Sequence, residues 1–542
     1  MSNKKESFVK GTLILAAAAL VARVLGLAQR VPLEHLFNDI GNASFTQANT
    51  VYLMLLPLAT AGIPSTLSKM VSERYALNRP QEAQQVYRAA LIFAAVVGVL
   101  MSTVLYIAAP YYADYAKVPE STLAIRAIAP ALLLFPSIAM MRGYFQGRNN
   151  MMAGGISQIV EQIARVSTAV LLAFILLRQG YSNTWMAAGA SFGSVFGSIG
   201  AFGVMMYYAV KMRRTEEKAA LYDSSEARLP LLGIYKDIFK LSIPIVLSSV
   251  TVPVVNFIDT SLIVPLLSGQ IGADAATRAL GIFGSRAQSV AGIPPVLSIA
   301  LSTSLIPIIS AAFARKDEQH LKRQVTLALR ISILTGTPIV ISLVVAAYSV
   351  NGLLFSSLDG SGIVAMLTLG TIFQITMMTT NSILLGMGKS RISMYYVLAG
   401  IVVKLASSLL LSQILGIYGI IGATALCFIV ITLLNLRMLK KIVPFEILGK
   451  RWGGFSIAVL AAAGIGYGLN EAGIMLTNWL PDRLAFLITC LVVGAAVVIV
   501  YLVLLIVLGV LSSQEIAGYP RPLRKLLNPL MKLQPARVRA NE

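Results

Sequence analysis

The sequence predicts an all-α polytopic membrane protein with about fourteen spans, arranged as two pseudo-symmetric six-helix lobes followed by two C-terminal helices. Three observations predict it. The 542 residues are 57% hydrophobic and only 12% charged, with a mean hydropathy of +0.77, a composition that a water-soluble domain carries only by exposing large apolar patches. The apolar runs are continuous over about 20 residues, whereas strands of a membrane barrel show short stretches of alternating polarity. Basic residues gather in the short segments between those runs, as expected of loops that set orientation.

Taken in order, the first six spans are expected near Phe8 to Leu27, Phe45 to Leu67, Tyr87 to Ala109, Leu123 to Phe145, Ile156 to Leu177 and Met186 to Val210. The next six follow near Ile238 to Leu267, Leu280 to Ala312, Val325 to Tyr348, Val364 to Leu385, Ser393 to Leu411 and Ile417 to Leu439. Two more lie near Phe455 to Leu476 and Leu484 to Val510. This divides the chain into an N-terminal lobe (1–210), a cytoplasmic linker (211–237), a C-terminal lobe (238–441), two extra helices (442–512) and a basic tail (513–542). No cleavable signal peptide is expected, because Arg23 interrupts the first run.

Of the 44 Lys and Arg, about 34 fall on the side of the amino terminus when the spans alternate, and about six on the other. That places both termini in the cytoplasm. The same distribution accounts for the net charge of +21 without nucleic acid, since no soluble basic face is present. Two positions support a repeat at an offset of about 240 residues: Pro64 is echoed by Pro307, and Gly147-Arg148 by Gly388-Lys389. Arg165 falls near Lys404 at a similar offset. Cys427 and Cys490 lie inside apolar runs and read as packing residues.

Ionisable side chains at membrane depth cost at least about 2.5 kcal/mol each and persist where they face a bundle interior or an aqueous cavity. The cations so placed are Arg23, Arg30, Arg165, Arg286 and Lys404; the acids are Glu161 and Asp259. A surplus of cations suits an anionic ligand. Glu161 and Arg165 are four residues apart on one helix and are candidates to neutralise each other. Asp259 either pairs with one of the arginines or titrates as a coupling site. Pro64, Pro253 and Pro294 lie within spans and are candidate hinges or static kinks. With only His35 and His320 and no acid-rich loop, neither an enzyme, a metal site nor a cofactor is expected.

Arg23-Val24-Leu25-Gly26, Arg142-Gly143-Tyr144-Phe145-Gln146-Gly147, Gln158-Ile159-Val160-Glu161-Gln162 with Arg165-Val166, and Val254-Val255-Asn256-Phe257-Ile258-Asp259-Thr260 resemble the MurJ branch of the multidrug/oligosaccharidyl-lipid/polysaccharide exporter superfamily. Within it they look most like the YtgP and SpoVB type of Gram-positive bacteria. The stretch from Ser285-Arg286 through Ile293-Pro294 to Leu305-Ile306-Pro307 is similar to that branch's eighth helix. The resemblance implies a lipid II flippase of the bacterial cytoplasmic membrane that works by alternating access for cell wall synthesis. Its substrate would be an undecaprenyl-pyrophosphate-linked precursor, driven by a coupling ion or the membrane potential, with Arg23 and Arg286 in a cationic cavity. It also implies that residues 442–512 form a groove for the lipid tail. A flippase for another undecaprenyl-pyrophosphate-linked polysaccharide unit shares the same pyrophosphate problem, and a multidrug exporter of the superfamily is the further alternative.

Overall fold

The computed structural model describes residues 21, 25–26, 28–60, 63–77, 79–148, 150–218, 242–243 and 246–511. The first expected span with Arg23, most of the linker, and the basic tail lie outside the described residues. The rest is helical: α1 (28–36), α2 (Asp39–Thr60), α3 (Ile63–Ala76), α4 (Pro80–Tyr115), α5 (Ser121–Ile128), α6 (Ala131–Gly147), α7 (Met151–Arg178) and α8 (Asn183–Lys218). A short α9 (246–249) precedes α10 (Thr251–Ile271), α11 (Ala273–Ile282), α12 (Gln288–Ala291), α13 (Pro295–Ala314), α14 (Glu318–Val345) and α15 (Ala347–Phe355). The chain continues through α16 (Ser361–Gly386), α17 (Ser390–Leu415), α18 (Ile417–Ile442), α19 (Trp452–Ile474) and α20 (Asp482–Val507).

Eleven helical segments among the described residues are long and apolar enough to cross a membrane. The shortfall from the expected spans has a physical reason. The first lies outside the described residues, the second contains residues 61 and 62, which also lie outside them, and the eighth is divided into shorter helices. The expected Phe45 to Leu67 run is described as α2 up to Thr60 and as α3 from Ile63. The expected Leu280 to Ala312 run is α11, a π-helical turn over Phe283–Ala287, the single turn α12, and α13. Its break carries the sequence Gly292-Ile293-Pro294. Proline lacks the N–H that an interior turn needs and fits the first turn of a helix, where that donor is unpaired anyway. Pro294 therefore sits at the N-cap of α13. Pro253 falls in the first turn of α10. These two hinge candidates mark helix starts, and Pro64 lies in α3.

The chain packs as two compact units, Met1–Ser285 with Ser390–Ala423, and Arg286–Lys389 with Thr424–Glu542. In the first unit a core of Leu33, Tyr52, Ile125, Leu132, Phe135 and Met186 fills the space between α1, α2, α5, α6 and α8. With hydrocarbon outside there is little hydrophobic drive between helices, so close backbone packing at small residues holds them together. Gly189, Gly193 and Gly197 form such a stripe on α8. A Cβ on Gly193 would stand 2.8 Å from the Arg165 carbonyl, and one on Gly197 would stand 2.9 Å from the Glu161 carbonyl. On α6 the equivalent pair is Gly143 and Gly147, whose Cβ atoms would meet the Pro64 and Ser68 carbonyls of α3 at 2.6 Å.

The second unit uses the same device plus polar glue. Gly386 of α16 abuts Ile309 of α13, and the Ser310 hydroxyl donates to its carbonyl at 2.7 Å. Thr379 of α16 bridges Ser298 and Ser332 at 3.2 and 2.8 Å, and the Asn435 amide reaches Asn381 at 2.7 Å. The last two helices join this unit through α15: Ser349 donates to Asn470 of α19 at 2.7 Å, and Phe486 of α20 lies against Gly352. Arg330 and Arg451 both donate to the Val510 carbonyl just beyond α20, at 3.1 and 3.3 Å, the cationic capping that a helix C-terminus favours.

These crossings predict opposite outcomes for two glycines. Gly143→Ala places a methyl against backbone that has no room for it and should destabilise by about 1 to 3 kcal/mol. Gly203→Ala on α8 meets nothing within 4 Å and should be neutral or slightly stabilising, by up to about 1 kcal/mol. Thermal unfolding of the two purified variants in detergent checks the contrast.

Candidate functional site

The ionisable residues at membrane depth are each answered differently. On α7, Glu161 is buried, and its Oε2 accepts from Arg142 Nη2 of α6 at 2.8 Å. Arg142 also donates to the Ser157 hydroxyl through Nη2 at 2.9 Å and Nε at 3.3 Å, and that hydroxyl in turn donates a hydrogen bond to the Ala201 carbonyl at 3.2 Å. The other carboxylate oxygen accepts from Gln162 Nε2 at 3.4 Å. Gln162 Oε1 in turn accepts from Arg165 Nη2 at 2.6 Å. The result is a chain, Arg142 to Glu161 to Gln162 to Arg165, along one helix face.

This corrects the expected Glu161–Arg165 pairing. The one-turn spacing brings the two side chains near each other, but α6 crosses α7 where Arg142 meets Glu161, and the better-placed guanidinium takes the carboxylate. Among the described residues Arg165 has no acidic partner. Its side chain lies beside the wholly buried Tyr52 of α2, and the space over its Nη2 is bounded by Gly26, whose Cβ would stand 3.7 Å away. Arg30, on α1, lies over the Phe45 ring at 5.1 Å, a cation–π placement.

Asp259 of α10 and Lys404 of α17 form an ion pair with both side chains wholly inaccessible. Asp259 therefore meets a lysine, where an arginine had been one expectation. The Lys404 ammonium also donates to the Ile420 carbonyl at 2.8 Å. The surroundings are polar: Gln47 donates to the Thr260 carbonyl at 3.2 Å, and the Tyr112 and Ser261 hydroxyls share a hydrogen bond of 2.9 Å. Lys404, read from sequence as a ligand-facing cation, has its charge met inside the helix bundle.

Arg286 occupies the π-helical turn. An inserted residue rotates the side chains that follow it, and such turns recur at functional sites. Arg286 Nη1 donates to the Ser357 hydroxyl and the Asp359 carbonyl, each at 2.9 Å. The receiving loop is sharply bent, with Ser356 and Gly360 both at positive φ, 51° and 76°. Asn351 donates to the same Asp359 carbonyl at 2.8 Å, and Arg483 to the Ser356 hydroxyl at 2.8 Å.

Sequence reading missed Arg142, Ser157 and Gln162 as members of the α7 network. Arg142 entered that reading within the Arg142–Gly147 motif, with no partner assigned to it. The available signal was Gly143 and Gly147 beside it: a small-xxx-small register marks a face pressed on a neighbouring helix, so a residue next to it points into the bundle. No cluster of His, Cys, Asp and Glu suited to a metal occurs among the described residues.

A model of the family described as polysaccharide biosynthesis protein matches residues 8–313. The chain is 25% identical to the stage V sporulation protein B of Bacillus subtilis (strain 168) over 531 residues, 95% of this chain and 98% of that one. It is also 25% identical to the lipid II flippase MurJ of the same organism over 457 residues, 81% of this chain and 83% of that one. Among solved structures, an inward-facing multidrug resistance MATE family transporter of the MOP superfamily superposes with a TM-score of 0.65 at 16% identity, covering 78% of this chain and 95% of that one. At that identity the likeness carries the fold alone, a multi-pass helical bundle.

The buried Asp259–Lys404 pair predicts an asymmetry in stability. Lys404→Met strands a carboxylate without its cation and should cost about 3 to 5 kcal/mol, whereas Lys404→Met with Asp259→Leu removes both charges and should recover most of that loss. Denaturation of the single and double variants in detergent measures both.

Proposed function

The chain belongs to the polysaccharide biosynthesis protein family, and on that premise we propose that it is a flippase of the bacterial cytoplasmic membrane. Its substrate is lipid II, the undecaprenyl-pyrophosphate-linked peptidoglycan precursor, carried to the outer leaflet by alternating access with both termini cytoplasmic. The observation that carries this reading is Arg165: a guanidinium at membrane depth whose charge is met by an amide oxygen at 2.6 Å and by no carboxylate among the described residues. A bare pyrophosphate in hydrocarbon costs tens of kcal/mol by Born-type estimates, and guanidinium forks answer it bidentately. Arg286 supports the same reading as a second guanidinium of the set, hydrogen-bonded to the Ser357 hydroxyl and the Asp359 carbonyl. Arg23 and Arg30 complete the proposed cationic set, residues 442–512 are the proposed seat of the lipid tail, and a coupling ion or the membrane potential drives the cycle.

An exporter of cations calls for acids facing its substrate, yet Glu161 and Asp259 are engaged by Arg142 and Lys404. A second reading, another undecaprenyl-pyrophosphate-linked polysaccharide unit, draws support from the family description over residues 8–313. The two differ in glycan and share the pyrophosphate.

Reconstitution into vesicles with fluorescent lipid II separates these readings. The protein should move the lipid between leaflets, and Arg165→Gln or Arg286→Gln should each slow transfer about tenfold or more, the loss of one charge-assisted contact. Lysine at either position should restore part of the rate. Transfer no faster than in protein-free vesicles sinks the flippase reading. Equal transfer of a different undecaprenyl-pyrophosphate glycan moves the assignment to the broader class.

A further inference from the structure

We propose that Arg142 and Gln162 are positioning residues that keep Arg165 cationic toward an anionic ligand, by holding Glu161 away from it; this rests on the anionic-substrate reading above. Glu161 and Arg165 stand four residues apart on α7, the spacing at which a glutamate and an arginine ordinarily pair. In this protein both carboxylate oxygens are otherwise occupied, Oε2 by Arg142 at 2.8 Å and Oε1 by Gln162 at 3.4 Å. Of the two guanidiniums around a single acid, Arg142 takes the carboxylate, and Arg165 receives the neutral Gln162 amide oxygen at 2.6 Å, with the Tyr52 hydroxyl beside it.

The amide has one useful orientation. With its NH2 toward the carboxylate and its oxygen toward the guanidinium, each end of Gln162 meets the complementary group; turned over, it presents oxygen to a carboxylate and NH2 to a cation. A side chain with a donor and an acceptor at opposite ends is what this position needs. The surrounding helices hold the arrangement. Gly197 leaves 2.9 Å between a Cβ on α8 and the Arg165 Cβ, so the stem of Arg165 is confined against α8. Ser157 fixes the Arg142 guanidinium from the other side. Glu161 is thus the sink for the charge of Arg142, and the surplus positive charge of the network belongs to Arg165.

Without Arg142, the nearest cation for Glu161 is Arg165 one turn away, and the pair that forms would neutralise it. The roles of the two partners of the Arg142–Glu161 bridge are therefore unequal, which a bridge serving stability alone would not produce. Binding of inorganic pyrophosphate to the purified full-length protein in detergent reads this directly, by calorimetry. Arg142→Gln should weaken binding about tenfold or more. Glu161→Gln should leave it within about twofold, and the Arg142→Gln, Glu161→Gln double variant should return to near the parent value. Gln162→Glu, which keeps the Arg142 bridge and sets a carboxylate against Arg165, should weaken binding as Arg142→Gln does; it serves where Arg142→Gln does not fold. Equal losses in Arg142→Gln and Glu161→Gln, or undiminished binding in Gln162→Glu, overturn the proposal. A protein that transfers lipid II yet binds no pyrophosphate overturns it while leaving the flippase reading. The expected asymmetry without any lipid transfer upholds it and removes the flippase reading instead.

Discussion

In hydrocarbon no solvent answers a charge, so every ionisable side chain at membrane depth must find its partner within the protein. That constraint organises this molecule more than any single hydrophobic contact. Asp259 and Lys404 meet it by mutual neutralisation in a site closed to solvent. Glu161 and Arg142 meet it across two helices. Arg165 meets it differently, with the neutral oxygen of the Gln162 amide. The first solution removes charge from the interior; the second preserves it in place.

Those partnerships require helices closer than side chains normally permit. Gly193 and Gly197 bring α8 onto the backbone of α7 at the level of Arg165 and Glu161, and Gly143 brings α6 onto α3 one residue from Arg142. Exchanging a side chain for backbone proximity is the usual route to helix association in membranes. In the π-helical turn over Phe283–Ala287, Arg286 reaches the loop at Ser357 and Asp359.

The helices were legible in the sequence because their cause is local: an apolar run of about 20 residues has little alternative but to span. Their interruptions were half legible. Gly-Ile-Pro at residues 292–294 announced a disturbance, but whether proline kinks a helix or begins a new one depends on whether the preceding turn keeps its bonds, which neighbours decide. The pairings were least legible. The i, i+4 rule pointed from Glu161 to Arg165, while the real partner, Arg142, lies 19 residues away on another helix. Lys404 and Asp259 are still farther apart in sequence. Side-chain spacing along one helix says which groups are near; the crossing of two helices says which one wins.

The contrast between an amide partner and a carboxylate partner bears on turnover. A carrier must bind its cargo firmly enough to load and weakly enough to release, and each exchange of partners adds to the barrier between those states. An arginine already paired with a carboxylate would have to break a charge–charge contact on loading and recover it on release, so its gain from a phosphate would be small. An arginine held by an amide gives up a bond to a neutral acceptor for one to an anion, worth roughly twice as much, and has a defined place to return to when the anion departs. Gln162 supplies that resting place. Its position between Glu161 and Arg165 turns a helix spacing that would cancel charge into one that leaves it on Arg165, and on the proposed anionic-substrate reading the identity of a single neutral residue then governs that charge.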